Sequence, residues 1–88
     1  MYLARFTLGC LDPLPKGVAE LVHDIIWAHL PEDHGLEHVT VTATAHGIEL
    51  VFFLNRDVGR PVAHSRRLIA AVASASPVFA ALRGAEPP

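Results

Sequence analysis

The chain has 88 residues, of which 51% are hydrophobic and 18% are charged, and its mean hydropathy is +0.35. This composition excludes a highly charged disordered chain and predicts one globular domain over residues 1–84, with a frayed tail at 85–88. Seven basic and nine acidic residues give a formal net charge of −2, so a nucleic-acid partner is not expected. The single cysteine, Cys10, excludes an intrachain disulfide.

The N-terminal stretch MYLARFTLGC lacks the basic and apolar regions of a signal peptide. Charges, glycines and prolines interrupt every apolar run well before the roughly 18 residues that a transmembrane helix needs. We therefore expect a cytoplasmic protein with no membrane partner. Its high content of Ala, Arg, Pro and Val, with a single Lys, is typical of GC-rich bacterial genomes.

The first half of the chain predicts a strand followed by a helix. Apolar residues alternate over residues 2–8, as in a half-buried strand. Prolines at 13 and 15 then place the start of a helix between 13 and 16, and Pro31 places its end at Leu30. Trp27 lies two and a half turns after Val18, so its indole is expected to point away from the apolar stripe of the helix, which comprises Val18, Leu21, Val22, Ile25 and Ile26.

The stretch LEHVTVTATAHGIELVFFL, residues 36–54, predicts two strands joined by a turn at His46-Gly47. Their alternation separates two faces. One face is apolar and carries Val39, Val41, Ala43, Ile48, Leu50, Phe52 and Leu54. The other face is mixed and carries His38, Thr40, Thr42, Thr44, Glu49, Val51 and Phe53.

A second helix is predicted from Arg60-Pro61 to Ser76-Pro77, followed by a helical turn or a short closing strand over residues 78–83. Its predicted buried side is Val62, Leu68, Ile69, Val72 and Ala73. The order β-α-β-β-α indicates an α+β fold. It resembles the ferredoxin-like plait, with two helices on one face of an antiparallel sheet and the last strand short or missing. The other face of that sheet is then uncovered.

The uncovered face is the first candidate for a contact surface. Its threonines, Thr40 and Thr42, could simply cover a solvated sheet. However, Leu3, Val51 and Phe53 share the face with them and make a mixed apolar patch, which is typical of association surfaces. A first strand without a neighbour would also be an exposed edge. We therefore expect a homodimer through this face or this edge.

Trp27 is the first candidate for contact with a different protein, because tryptophan is enriched at binding hot spots. The alternative is that it only leans over the end of its own helix. A weaker candidate is a metal site at His34 and His38, which lacks a familiar ligand spacing. Another is an anion site at the start of the second helix. Its four cations, which could instead be a solvated surface, are Arg56, Arg60, Arg66 and Arg67.

These patterns favour a small non-enzymatic module that binds a protein or peptide, forms a homodimer, and acts as an accessory to a larger bacterial enzyme system. They assign no catalytic residue and no cofactor. The alternative is a cofactor-free dimeric plait enzyme or small-molecule binder. It would use a pocket between sheet and helices, with His38, His46 or Arg5 as polar groups.

Overall fold

A computed structural model describes residues 2–9, 16–45 and 47–83 of the chain, with side chains described up to residue 81. The predicted tail, Cys10 and His46 lie outside these residues. Within them the fold is α+β, with three strands and three helices. The order β-α-β-β-α is as predicted, and the C-terminal piece is the helix and not the strand of the two alternatives. The elements are β1 (Tyr2–Gly9), α1 (Val18–Ala28), β2 (Leu36–Thr44), β3 (Gly47–Leu54), α2 (Pro61–Ala75) and α3 (Pro77–Arg83).

The three strands form one antiparallel sheet in the order β1-β3-β2. Both β1 and β2 pair with β3, so they run parallel to each other on its two sides, and α1 makes the connection between them. α1 packs over β2, and α2 packs over β1. Both helices therefore cover the same face of the sheet, which we call the covered face, and the opposite face is the open face.

The core lies between the covered face and the helices, where alternation along β3 places every second side chain. Phe52 is 1% exposed, and its ring centroid lies 5.8 Å from that of Phe6 on β1. Phe79 of α3 is fully buried in the same cluster. The other core side chains are Ala4, Leu8, Val18, Val22, Ile26, Leu36, Val39, Ile48, Leu50, Leu54, Val58, Leu68, Ile69 and Val72.

A β-bulge at the start of β2 explains a break in its alternation. Leu36 and Val39 are both buried although three positions separate them. The pairing with β3 shifts by one residue between Leu36 and His38, which leaves Glu37 as the extra residue. The bulge lets Leu36 reach the core and keeps His38 on the open face.

Gly47 at the start of β3 is required by its position. Its φ is 146°, a conformation that side-chain-bearing L residues rarely adopt. A Cβ at this position would also overlap the carbonyl oxygen of Leu8 on the neighbouring strand. The close approach of β1 to β3 at this end of the sheet therefore depends on glycine.

The predicted bounds of the first helix were too wide. α1 begins at Val18, after Gly17 in the left-handed region (φ 82°), and not between 13 and 16. It ends at Ala28, because the N–H of His29 bonds to the carbonyl of Ile26 at 3.2 Å and tightens the last turn before Leu30. Helix α2 starts and ends as predicted, but Val62 in its first turn is 52% exposed and not buried.

The segment over residues 78–83 belongs to a helix and is not a closing strand. The Ser76 hydroxyl accepts a hydrogen bond from the N–H of Phe79 at 3.2 Å and so caps the first turn of α3. α3 packs against α2 and β1. The described residues thus contain a three-stranded sheet, and the predicted ferredoxin-like plait is not confirmed. None of the helices in these residues is long and apolar enough to cross a membrane.

Candidate interaction surfaces

The open face carries side chains in three rows that cross the strands, with one residue from each strand in a row. The register places Leu3, Phe53 and His38 in the first row, which lies where β3 ends. The second row is Arg5, Val51 and Thr40, and the third is Thr7, Glu49 and Thr42. The predicted contact residues Leu3, Val51, Phe53, Thr40 and Thr42 therefore share one surface, which is apolar at one end and polar at the other.

The apolar end of the open face is built around Phe53. Its ring packs against the His38 ring, with 5.3 Å between the centroids, and leaves Phe53 half-buried. Leu3, on the other side of Phe53, is 61% exposed. Contact with His38 positions the phenyl ring without removing it from solvent, so this row remains available for further burial.

The polar part of the open face contains an ion pair. Arg5 Nε lies 3.5 Å from Glu49 Oε1, and the two residues come from adjacent strands and adjacent rows. The Arg5 side chain is 72% exposed, so the pair contributes little to folding. Its importance is geometric, because it places one positive and one negative charge side by side at the middle of a sheet face.

Trp27 is held at the end of α1 by two histidines. Its indole N–H donates to Nε2 of His23 at 3.2 Å, and its ring meets the His34 ring edge-on at 5.9 Å. Since Nε2 of His23 accepts, the Nδ1 atom carries the proton and faces Asp24 at 3.4 Å. The indole remains 38% exposed, consistent with the predicted outward direction.

The predicted metal ligands His34 and His38 are not brought together. His34 contacts Trp27 of α1, while its Nδ1 accepts the N–H of Leu36 at 2.8 Å. The His38 ring packs against Phe53 on the open face, with the two rings tilted by 54°. Among residues 2–9, 16–45 and 47–81, no group of three or more His, Cys, Asp or Glu side chains is arranged to hold a metal ion.

The four predicted anion-binding arginines are placed differently from one another. The guanidinium of Arg66 lies over the Phe6 ring, 5.6 Å from its centroid, on the β1 side of α2. Arg67 follows on the exposed surface, about 100° further around the helix. Arg60 is the N-cap residue of α2, and Arg56 lies in the exposed turn before it. The described contacts do not draw these four groups to one point.

Two open depressions lie at other places on the surface. One has a volume of about 460 Å³ and is formed by the loops at one end of the sheet. His64, which lines it, forms a hydrogen bond with the carbonyl oxygen of His34. The other, of about 400 Å³, is a groove between α1 and the outer edge of β2. Neither contains His38 or Arg5, which lie on the open face and so do not converge on a pocket between sheet and helices.

The groove beside β2 was not anticipated from the sequence. Its walls carry Glu20, His23 and Asp24 from α1, and Val41 of β2 also lines it. One sequence signal could have indicated its charge, because no Lys or Arg occurs from Gly17 to Asn55. Five exposed carboxylates lie on α1, on β2 or in the loop between them, namely Glu20, Asp24, Glu32, Asp33 and Glu37.

No protein-family model matches the chain, and comparisons with curated proteins and with solved structures give no significant match. The function must therefore be argued from these surfaces alone.

Proposed function

We propose that this protein is a small cytoplasmic interaction module, without enzymatic activity, that self-associates through the open face of its sheet. The observation that carries the proposal is the row of Leu3, Phe53 and His38, where apolar surface lies exposed beside an ordered aromatic pair. A sheet face that served only as solvated surface would not need a phenyl ring and a leucine at its centre and edge.

The charge pattern favours a second copy as the occupant of this face. A two-fold axis between Arg5 and Glu49 would place each residue opposite the other residue of the partner. Two intermolecular ion pairs would then form, one in place of each copy's intramolecular pair, and the contact would partly shield them from water. The rows are thus self-complementary in charge, which is the condition for an isologous contact.

The size of the face sets the expected strength of the dimer. Three strands about 4.8 Å apart and about 26 Å long present roughly 400 Å² per copy. A stable complex typically buries about 800 Å² per partner. The dimer is therefore expected to be weak, with a dissociation constant in the micromolar range or above.

The β1-β3-β2 order supports a ferredoxin-like plait that lacks its fourth strand, because β3 lies between two parallel strands that α1 connects. This interpretation of the fold and the accessory role in a larger bacterial enzyme system are parts of the same proposal. The fold alone assigns no activity.

The test is the solution mass of the wild type and of Phe53→Asp, measured by light scattering over a wide range of concentration. We expect a wild-type mass that rises from monomer to dimer and a Phe53→Asp mass that stays monomeric. Val62→Asp is the matched control, because Val62 is 52% exposed on α2, away from the open face. A wild type that stays monomeric, or a Val62→Asp variant that also dissociates, would contradict self-association through this face.

A further inference from the structure

The groove between α1 and β2 has the features of a site for an extended peptide. β2 pairs with β3 along one side, and among the described residues no strand pairs with its other side. An edge strand presents backbone N–H and C=O groups that a peptide can bind as an added strand. Here the edge is nine residues long and borders an open groove of about 400 Å³.

The alternation of an added strand would send its side chains to both faces of the sheet. Side chains opposite Thr40 and Thr42 would lie on the open face. A side chain opposite Val41 would enter the groove, because Val41 lies on the covered face and lines it. Only every second side chain of a bound peptide would therefore enter the groove.

The charge of the groove determines which side chain it accepts. Glu20 and Asp24 lie one helical turn apart on its α1 wall, and both are exposed. Among the described residues, neither carboxylate forms an ion pair with a lysine or arginine. A lysine or arginine of the peptide would supply the missing positive charge.

Trp27 adds an apolar position next to the acidic one. It adjoins the groove through His23, which lines the groove and accepts the indole N–H. Along α1, Trp27 is about five residues from the midpoint between Glu20 and Asp24, which corresponds to roughly 7.5 Å. Two residues of a strand span about 6.7 Å. In a bound peptide, the apolar residue that packs on Trp27 and the cation that lies between Glu20 and Asp24 would thus be two positions apart.

A second copy of the chain fits this edge poorly. Pairing of β2 with β2 around a two-fold axis would bring Glu20 and Asp24 of one copy towards the same residues of the other. Like charges brought together in this way oppose association. The same carboxylates that favour a basic peptide therefore disfavour self-pairing at this edge.

We propose that the edge of β2 and the adjoining α1 groove bind an extended peptide in which a large apolar residue and a lysine or arginine are two positions apart. The inference rests on the proposed function only in taking the chain as an interaction module. It concerns a different surface from the open face, so either proposal can fail without the other.

The test is a selection of random nine-residue peptides displayed on phage, with immobilised Phe53→Asp protein as the bait so that the open face does not contribute. We expect enriched peptides with an apolar residue and Lys or Arg at alternate positions. Synthetic copies should bind in solution and lose binding when backbone N-methyl groups are placed on the residues that face β2. Failure to enrich peptides, enrichment of acidic ones, or indifference to N-methylation would overturn the proposal.

Charge reversal in the groove gives the matched comparison. Asp24→Lys is expected to weaken binding of the selected peptide about tenfold or more, because it replaces an attractive contact by a repulsive one. Asp57→Lys makes the same change in net charge in an exposed turn outside the groove and should leave binding unchanged. Equal effects of the two substitutions would mean that only net charge attracts the peptide, and would also overturn the proposal.

Discussion

The two faces of β3 are made by alternate residues of one strand, yet they have different roles. Phe52 is 1% exposed and packs against Phe6 beneath the helices. Its neighbour Phe53 is partly exposed and packs against the His38 ring on the open face. The covered face thus supplies the burial that stabilises the fold. The open face keeps apolar surface that folding does not use. The partial exposure of Phe53 is informative because an identical side chain one position away, Phe52, is fully buried.

The largest expected effect comes from truncating each of the two phenylalanines in turn. Phe52→Ala should destabilise the protein by about 3–5 kcal/mol, because it removes a buried ring and leaves a cavity. Phe53→Ala should cost less, about 2 kcal/mol, since its side chain is partly exposed on the open face. The measurement is urea unfolding at a concentration low enough to keep the protein monomeric. Similar losses for the two variants would contradict the division between the faces.

The next effect concerns the end of the sheet where β1 approaches β3. Gly47→Ala should lower the free energy of unfolding by about 2–3 kcal/mol, because alanine is strained at a φ of 146° and its Cβ overlaps the Leu8 carbonyl. Gly59→Ala is the control, since a Cβ there meets no atom within 4 Å. Thermal unfolding of both variants gives the comparison. A Gly47→Ala protein as stable as the Gly59→Ala protein would rule out this close approach.

The smallest effect is a stabilisation on the covered side. Ser65 of α2 is fully buried, and its hydroxyl has no hydrogen-bond partner among the described residues. Ser65→Ala should therefore raise the free energy of unfolding by about 1 kcal/mol, since it removes an unsatisfied polar group and improves helix propensity. Ser74→Ala is the control, because Ser74 is exposed on the same helix and its replacement changes the helix propensity without removing a buried hydroxyl. If Ser65→Ala raised the free energy of unfolding no more than Ser74→Ala does, the Ser65 hydroxyl would have a hydrogen-bond partner.

The sequence was sufficient to predict the sheet faces and the second helix. Alternation from Ile48 to Leu54 determined which side chains are buried, and the prolines at 61 and 77 placed the two ends of α2. Both signals are local and strong, because a strand repeats every two residues and proline restricts the backbone around it. The outward direction of Trp27 followed from helical geometry in the same way.

Other features depend on tertiary contacts that a single sequence does not show. Prolines at 13 and 15 suggested an earlier start for α1, but Gly17 adopts a left-handed conformation and delays it. The alternation of apolar and polar residues could not predict the bulge at Glu37, because the bulge interrupts that alternation. The pairing of Arg5 with Glu49 and the groove at Glu20 and Asp24 depend on which elements become neighbours, and residue spacing within one element does not determine this.

Self-association through the open face, as proposed, places a two-fold axis between Arg5 and Glu49. The most direct measurement is the sedimentation of Arg5→Glu and Glu49→Arg, each alone and mixed in equal amounts. Each variant alone should be monomeric, because like charges meet across the axis, and the mixture should form a heterodimer in which every pair is complementary. A mixture that stays monomeric while the wild type dimerises, or a wild type that never dimerises, would rule out this axis.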